Sequence, residues 1–133
     1  MDVRQAEKTD AHPVSGKLSA RRHHLFVGYV ILMLVAFLVP VPTSPVAEAN
    51  QVDKLVHFGI FLGFALLFYG DKHAKSWWIF FLSAAFAGAI ELVQALLPYR
   101  DGDWLDFVAG SAGAALGTLL ILWLERLRAR QRL

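Results

Sequence analysis

The chain has 133 residues, of which 56% are hydrophobic and 18% charged, with a mean hydropathy of +0.47. That composition is too apolar for an ordinary soluble domain of this size and excludes disorder of the whole chain, while the length allows one domain. The absence of cysteine removes disulfides, thiolate chemistry and cysteine-ligated zinc, and the formal charge of +2 sits beside long apolar runs rather than on one face, which argues for a membrane and against nucleic acid.

Residues 1–24 are polar, with Pro13, Ser15 and Gly16, and read as a flexible cytoplasmic leader ending in Arg21, Arg22, His23 and His24. The first apolar run, residues 25–41, has 17 residues, enough for a short span, and Pro40, Pro42 and Pro45 stop it. Val46, Ala47, Glu48 and Ala49 offer a signal-peptidase-like pattern. The long leader and long apolar run favour a retained span over a cleaved signal.

Three further runs follow at residues 52–70, 76–97 and 104–124. They lack period-two alternation and exceed the length of a barrel strand, so each predicts a helix. The expected fold is all-α, an integral membrane four-helix bundle over residues 25–124, followed by a basic cytoplasmic tail at 125–133. The tail and the leader would anchor the inner side and touch anionic lipid head groups. Of the 13 lysines and arginines, 11 lie in the leader, the loop at 72–75 and the tail, and only Lys54 and Arg100 lie on the other side. The positive-inside rule therefore places both termini in the cytoplasm. Trp77, Trp78 and Trp123 then fall at the inner interface, and Tyr99 and Trp104 at the outer one.

Polar residues inside the spans carry the functional signal, because an uncompensated charge at membrane depth costs several kcal/mol. Glu91 lies six residues before Leu97, or roughly 9 Å inside the third run at 1.5 Å per residue. Gln94 is on the same face, and Ala84, Gly88, Glu91, Ala95 and Pro98 make a stripe of mostly small residues that would face another helix. Asp53 and His57 are four residues apart on one face of the second run, where the carboxylate would orient the imidazole. Lys54 would snorkel to the interface. Asp103 suits a helix start. Asp106 heads the stripe Gly110, Gly113, Gly117, which would carry it inward. Arg100 would pair with a carboxylate or hold an anion.

Asp53, His57, Glu91, Gln94, Arg100 and Asp106 all map to the outer side and would converge on a wet pocket; Gly88, Gly110, Gly113 and Gly117 would serve helix packing. No comparable cluster is expected at the inner side, where Lys72, His73 and Lys75 read as an ordinary loop. His12, His23, His24 and His73 fall at no ligand-like spacing. Nucleotide loops, H-E-x-x-H and G-x-S-x-G are absent from the sequence.

Asp53-Lys54-Leu55-Val56-His57-Phe58, Glu91-Leu92-Val93-Gln94 with Pro98 and Arg100, and Asp106 followed by Gly113 and Gly117 resemble the VanZ-like family of small bacterial membrane proteins. The resemblance covers about residues 50–120. The family often carries asparagine four residues after the last aspartate; here that position is Gly110. The founding member is associated with low-level teicoplanin resistance, so the resemblance implies a bacterial inner-membrane protein in an envelope context, with a link to glycopeptide tolerance.

The resulting expectation is a non-enzymatic protein whose outer pocket binds or repositions the head group of an envelope lipid or cell-wall precursor. No catalytic residue, cofactor or resident metal is assigned. Two alternatives stand beside it. One is a scaffold or assembly protein whose polar cluster is structural. The other is an intramembrane metal-dependent enzyme in which His57, Glu91 and Asp106 hold a divalent ion.

The charge asymmetry predicts that reporter fusions at Ala49 and Asp101 read outside and that a fusion after Leu133 reads inside. A cytoplasmic signal at Asp101 would move the polar cluster to the other face of the membrane.

Overall fold

The computed structural model describes residues 13–40, 52–72, 75–100 and 102–131. The start of the leader, the signal-peptidase-like pattern, His12, His73 and Asp101 lie outside the described residues. Among those residues there are four helices and no strand: α1 (Pro13–Leu38), α2 (Val52–Lys72), α3 (Ser76–Ala95) and α4 (Trp104–Arg130). Each includes a stretch of at least 19 residues long and apolar enough to cross a membrane.

Two boundaries differ from the expectation. α1 starts at Pro13, so residues 13–24, expected as a flexible leader, are helical. Proline is well tolerated at the first helical position, and nothing between it and the apolar run breaks the helix. α3 ends at Ala95 and turns through Leu96 and Leu97 ahead of Pro98, so Glu91 lies about one turn, not two, from the helix end.

The helices alternate in direction. The C-terminal ends of α1 and α3 meet the N-terminal ends of α2 and α4, where Gln94 Nε2 donates to the Phe37 carbonyl at 3.0 Å and Tyr99 Oη donates to that of Leu38 at 2.9 Å. This is the polar end. At the opposite, basic end Ser76 Oγ donates to Glu125 Oε2 at 3.2 Å.

The central contact is between the parallel helices α2 and α4. A Cβ built on Gly113 would run into the Phe58 carbonyl, and one on Gly117 would come within 2.9 Å of the Ala65 Cβ and 3.1 Å of the Leu62 carbonyl oxygen. Only glycine at these positions lets the two backbones touch. Gly110 sits against Phe61 and Ala87, whereas Gly88 leaves ordinary van der Waals space beside Phe107.

The buried face of α3 is Ile79, Ser83, Ala87, Ile90 and Gln94, one step around the helix from the expected stripe; Ala84, Gly88 and Glu91 flank it, and Ala95 and Pro98 are exposed. Ile90 faces inward against the aromatic core, and Ile79 packs in a second cluster with Ala65 and Ile121.

That core joins Met33 and Phe37 of α1, Phe61 and Phe64 of α2, and Ala87 and Ile90 of α3. Ring contacts run from Phe37 to Phe61 at 6.0 Å and from Phe64 to Phe68 at 5.9 Å. The hydroxyls of Ser83 and Thr118 bond back to Ile79 and Ala114 within their own helices, which satisfies them without water. The exterior is apolar: Leu92 is 70% exposed and Leu119 61%. Such a surface matches lipid chains and would aggregate in water.

Gly113→Leu should destabilise the bundle by about 1–3 kcal/mol or more, the usual range for overpacking, because the obstacle is backbone. Leu119→Ala should stay within about 0.5 kcal/mol, as for surface positions. Thermal unfolding of both variants in mild detergent reads the difference; equal midpoints for Gly113→Leu and the parent would remove the close contact from the account.

Candidate functional site

The α2–α4 contact places the first turns of these two helices side by side. Lys54 therefore does not snorkel. Its Nζ lies 2.7 Å from Asp103 Oδ2 and 3.6 Å from Asp106 Oδ1, tying α2 to the start of α4. One turn further, His57 is 1% exposed and its ring stacks on Phe37 at 4.4 Å. His57 Nδ1 is 3.0 Å from the Asp53 carbonyl oxygen. A carbonyl only accepts, so this hydrogen bond puts the proton on Nδ1. The other ring nitrogen, Nε2, is buried and makes no hydrogen bond.

The loop after α3 closes the cluster. Asp103 caps α4, its Oδ1 accepting from the Leu105 N–H at 2.9 Å. Its own N–H donates to Glu91 Oε1, while Glu91 Oε2 is buried without a partner. Arg100 Nη1 reaches Asp53 Oδ2 at 3.9 Å. Asp106 is 5% exposed, and its Oδ1 makes no hydrogen bond, its ion pair being with Lys54 at 3.6 Å. A ring nitrogen of His57 and carboxylate oxygens of Asp53 and Asp106 all lie within 4.8 Å of one another.

The structure thus gathers Asp53, His57, Glu91, Arg100 and Asp106 and adds Lys54 and Asp103, which the sequence reading had treated as interfacial and as a simple cap. Gln94 is buried but spent on the Phe37 carbonyl, so it staples α3 to α1. Asp53, not Glu91, stands with His57 and Asp106 in the set of possible metal ligands among the described residues. Lys54 and Asp103 could have been paired from sequence only by knowing that α2 and α4 run side by side.

Charge decides what the cluster attracts. Among the described residues, four carboxyl groups (Asp53, Glu91, Asp103, Asp106) face two permanent cations, Lys54 and Arg100. Carboxyl groups therefore outnumber permanent cations two to one. Arg100 is already opposed by Asp53, so the polar end is suited to donors and cations more than to a bare anion.

At the basic end, the loop between α2 and α3 lies partly outside the described residues. Ser76 and Glu125 join α3 to α4. A groove of about 760 Å³ runs past Ser76, Trp77, Phe80, Thr118 and Glu125, and one of about 360 Å³ lies between Arg22, Leu25, Leu66, Tyr69 and Arg128.

Four apolar helices, lipid-like outside and closed at one end over a charged cluster, define a multi-pass helical membrane protein. The model of the VanZ/LLP1 family matches residues 15–125, α1 included, and the chain belongs to that family. No curated protein and no solved structure matches it.

The Lys54 ammonium, followed by the Leu105 N–H, holds the Asp103 carboxyl below its ordinary pKa of 3.8. A depressed carboxylate adds stability above its unfolded pKa and loses it as pH falls through the folded value. Asp103→Asn keeps a capping oxygen but removes the charge. It should lower stability near pH 7, and the gap to the parent should close as pH drops below 3.8. Unfolding midpoints across that range in one detergent are the check; a gap independent of pH would assign Asp103 to capping alone.

Proposed function

We propose that this VanZ-family protein lies in the bacterial cytoplasmic membrane with both termini inside and holds, at its outward polar end, the head group of an envelope lipid or cell-wall precursor. The observation that carries the reading is a set of three buried acceptor atoms without hydrogen-bond partners, on three different elements of one cluster: His57 Nε2 on α2, Glu91 Oε2 on α3 and Asp106 Oδ1 on α4. Leaving such atoms unpaired costs about 1–3 kcal/mol each, more when charged. A bundle that keeps all three is better explained by an occupant than by packing. Hydroxyl and amine donors of a head group satisfy such atoms. A protein that occupies or relocates exposed precursor would alter tolerance to glycopeptides, which act on such precursors.

A second reading has its own support. Lys54 links α2 to α4 and Gln94 links α3 to α1, which is what a cluster serving only to lock the bundle would do.

Glu91→Gln distinguishes the two. The amide oxygen still accepts from the Asp103 N–H, but an NH₂ replaces the free acceptor. On the binding reading, the variant reaches normal membrane abundance and reproduces the envelope phenotype of a deletion strain, with glycopeptide tolerance scored at equal protein level. Arg100→Lys impairs it as well, through loss of the planar fork. Full activity of both variants at normal abundance would leave the structural reading.

A further inference from the structure

We propose that Asp53, His57 and Asp106 form a binding site for one divalent first-row metal ion, with Zn²⁺ the best match. The inference rests on the polar end being an occupied site, though not on the identity of any head group.

Three observations support it. First, donor atoms from these residues lie within 4.8 Å of one another. Ligand atoms at about 2.0–2.1 Å from a tetrahedral zinc are about 3.3–3.4 Å apart, so closure on Nε2 needs the half-exposed Asp53 carboxylate, now 3.8 Å from Nδ1, to swing along the ring. Second, the histidine is prepared. Its Nδ1–H is held by the Asp53 carbonyl, its ring is clamped on Phe37, and its Nε2 is buried without a partner. Backbone fixation of one ring nitrogen is the usual way proteins present the other to a metal. Third, Asp106 Oδ1 is buried without a hydrogen bond, and the Lys54 ammonium it faces at 3.6 Å is held more closely by Asp103 at 2.7 Å. One imidazole and two carboxylates make a nitrogen–oxygen donor set suited to zinc or manganese, and three protein ligands leave a coordination position open. An open position on a cation would let an otherwise acidic pocket take a phosphate-bearing head group.

The test uses the full-length protein in mild detergent, stripped with chelator, dialysed and titrated with Zn²⁺ alone. Calorimetry and native mass spectrometry should give one ion per chain, and Zn²⁺ should raise the thermal midpoint. Asp53→Asn and Asp106→Asn should weaken binding at least tenfold and abolish the thermal shift. Asp53 is half exposed at 52%, so its near-isosteric amide should fold even if the Asp106 variant does not. Lys54→Met removes a competing cation and should leave affinity equal or higher.

Failure of the parent to bind one Zn²⁺ or Mn²⁺ overturns the site. So does unchanged affinity in Asp53→Asn and in folded Asp106→Asn, which would place the metal elsewhere, as at His23 and His24. The same spectra report co-purified lipid. Lipid retained by a parent that binds no metal would overturn this inference alone, whereas metal bound without any lipid would count against the head-group reading and leave the metal site standing.

Discussion

The arrangement depends on two glycines that let α4 lie against the backbone of α2. Gly113 meets the Phe58 carbonyl, and Gly117 meets Leu62 and Ala65. Lipid supplies no hydrophobic drive between helices, so close van der Waals contact must do that work. Because α2 and α4 run parallel, the contact also sets their register. One turn toward the polar end from Phe58 stands Lys54, and two turns from Gly113 stands Asp106. The ion pairs of Lys54 follow from the glycines.

Around this pair the other helices play unequal parts. α1 contributes Met33 and Phe37 to the core, and Phe37 closes over His57. α3 contributes Glu91 on its flank and Gln94 on its buried face. These two side chains, one turn apart at most, are used in opposite ways. Gln94 satisfies the final backbone of α1, whereas Glu91 fixes the approach of the chain to α4 and leaves one oxygen free. Burial alone does not separate a structural polar residue from a ligand-binding one; the remaining hydrogen-bonding capacity does.

The charge balance of the polar end bears directly on mechanism. Of the two roles open to a lone outer arginine, pairing with a carboxylate or holding an anion, Arg100 takes the first: facing Asp53 at 3.9 Å, it offsets part of a carboxylate cluster. A phosphate-bearing ligand then needs a further cation to enter, and a ligand rich in donors does not. The two ends of the bundle also differ in kind. The polar end gathers buried acceptors, while the basic end presents Arg22 and Arg128 on a groove of mixed lining.

Much of the architecture was written in local sequence. Four apolar runs of membrane-spanning length, the stops at Pro40 and Pro98, the cap at Asp103 and the family motifs are properties of neighbours along the chain, and hydropathy and turn chemistry read them directly. The ends of helices were less legible: α1 reaches back to Pro13 because a polar segment can still be helical. Which residues share the polar end also followed from span topology, since four alternating spans bring those ends together. The pairings did not follow. Lys54 with Asp103, Gln94 with the Phe37 carbonyl, and Asp53 rather than Glu91 beside His57 and Asp106 depend on helix rotation and register. Those are set by contacts between residues distant in sequence, above all the glycine-to-backbone contact of α4 on α2, and a one-step rotation of a helix exchanges a buried side chain for a flanking one without changing its hydropathy.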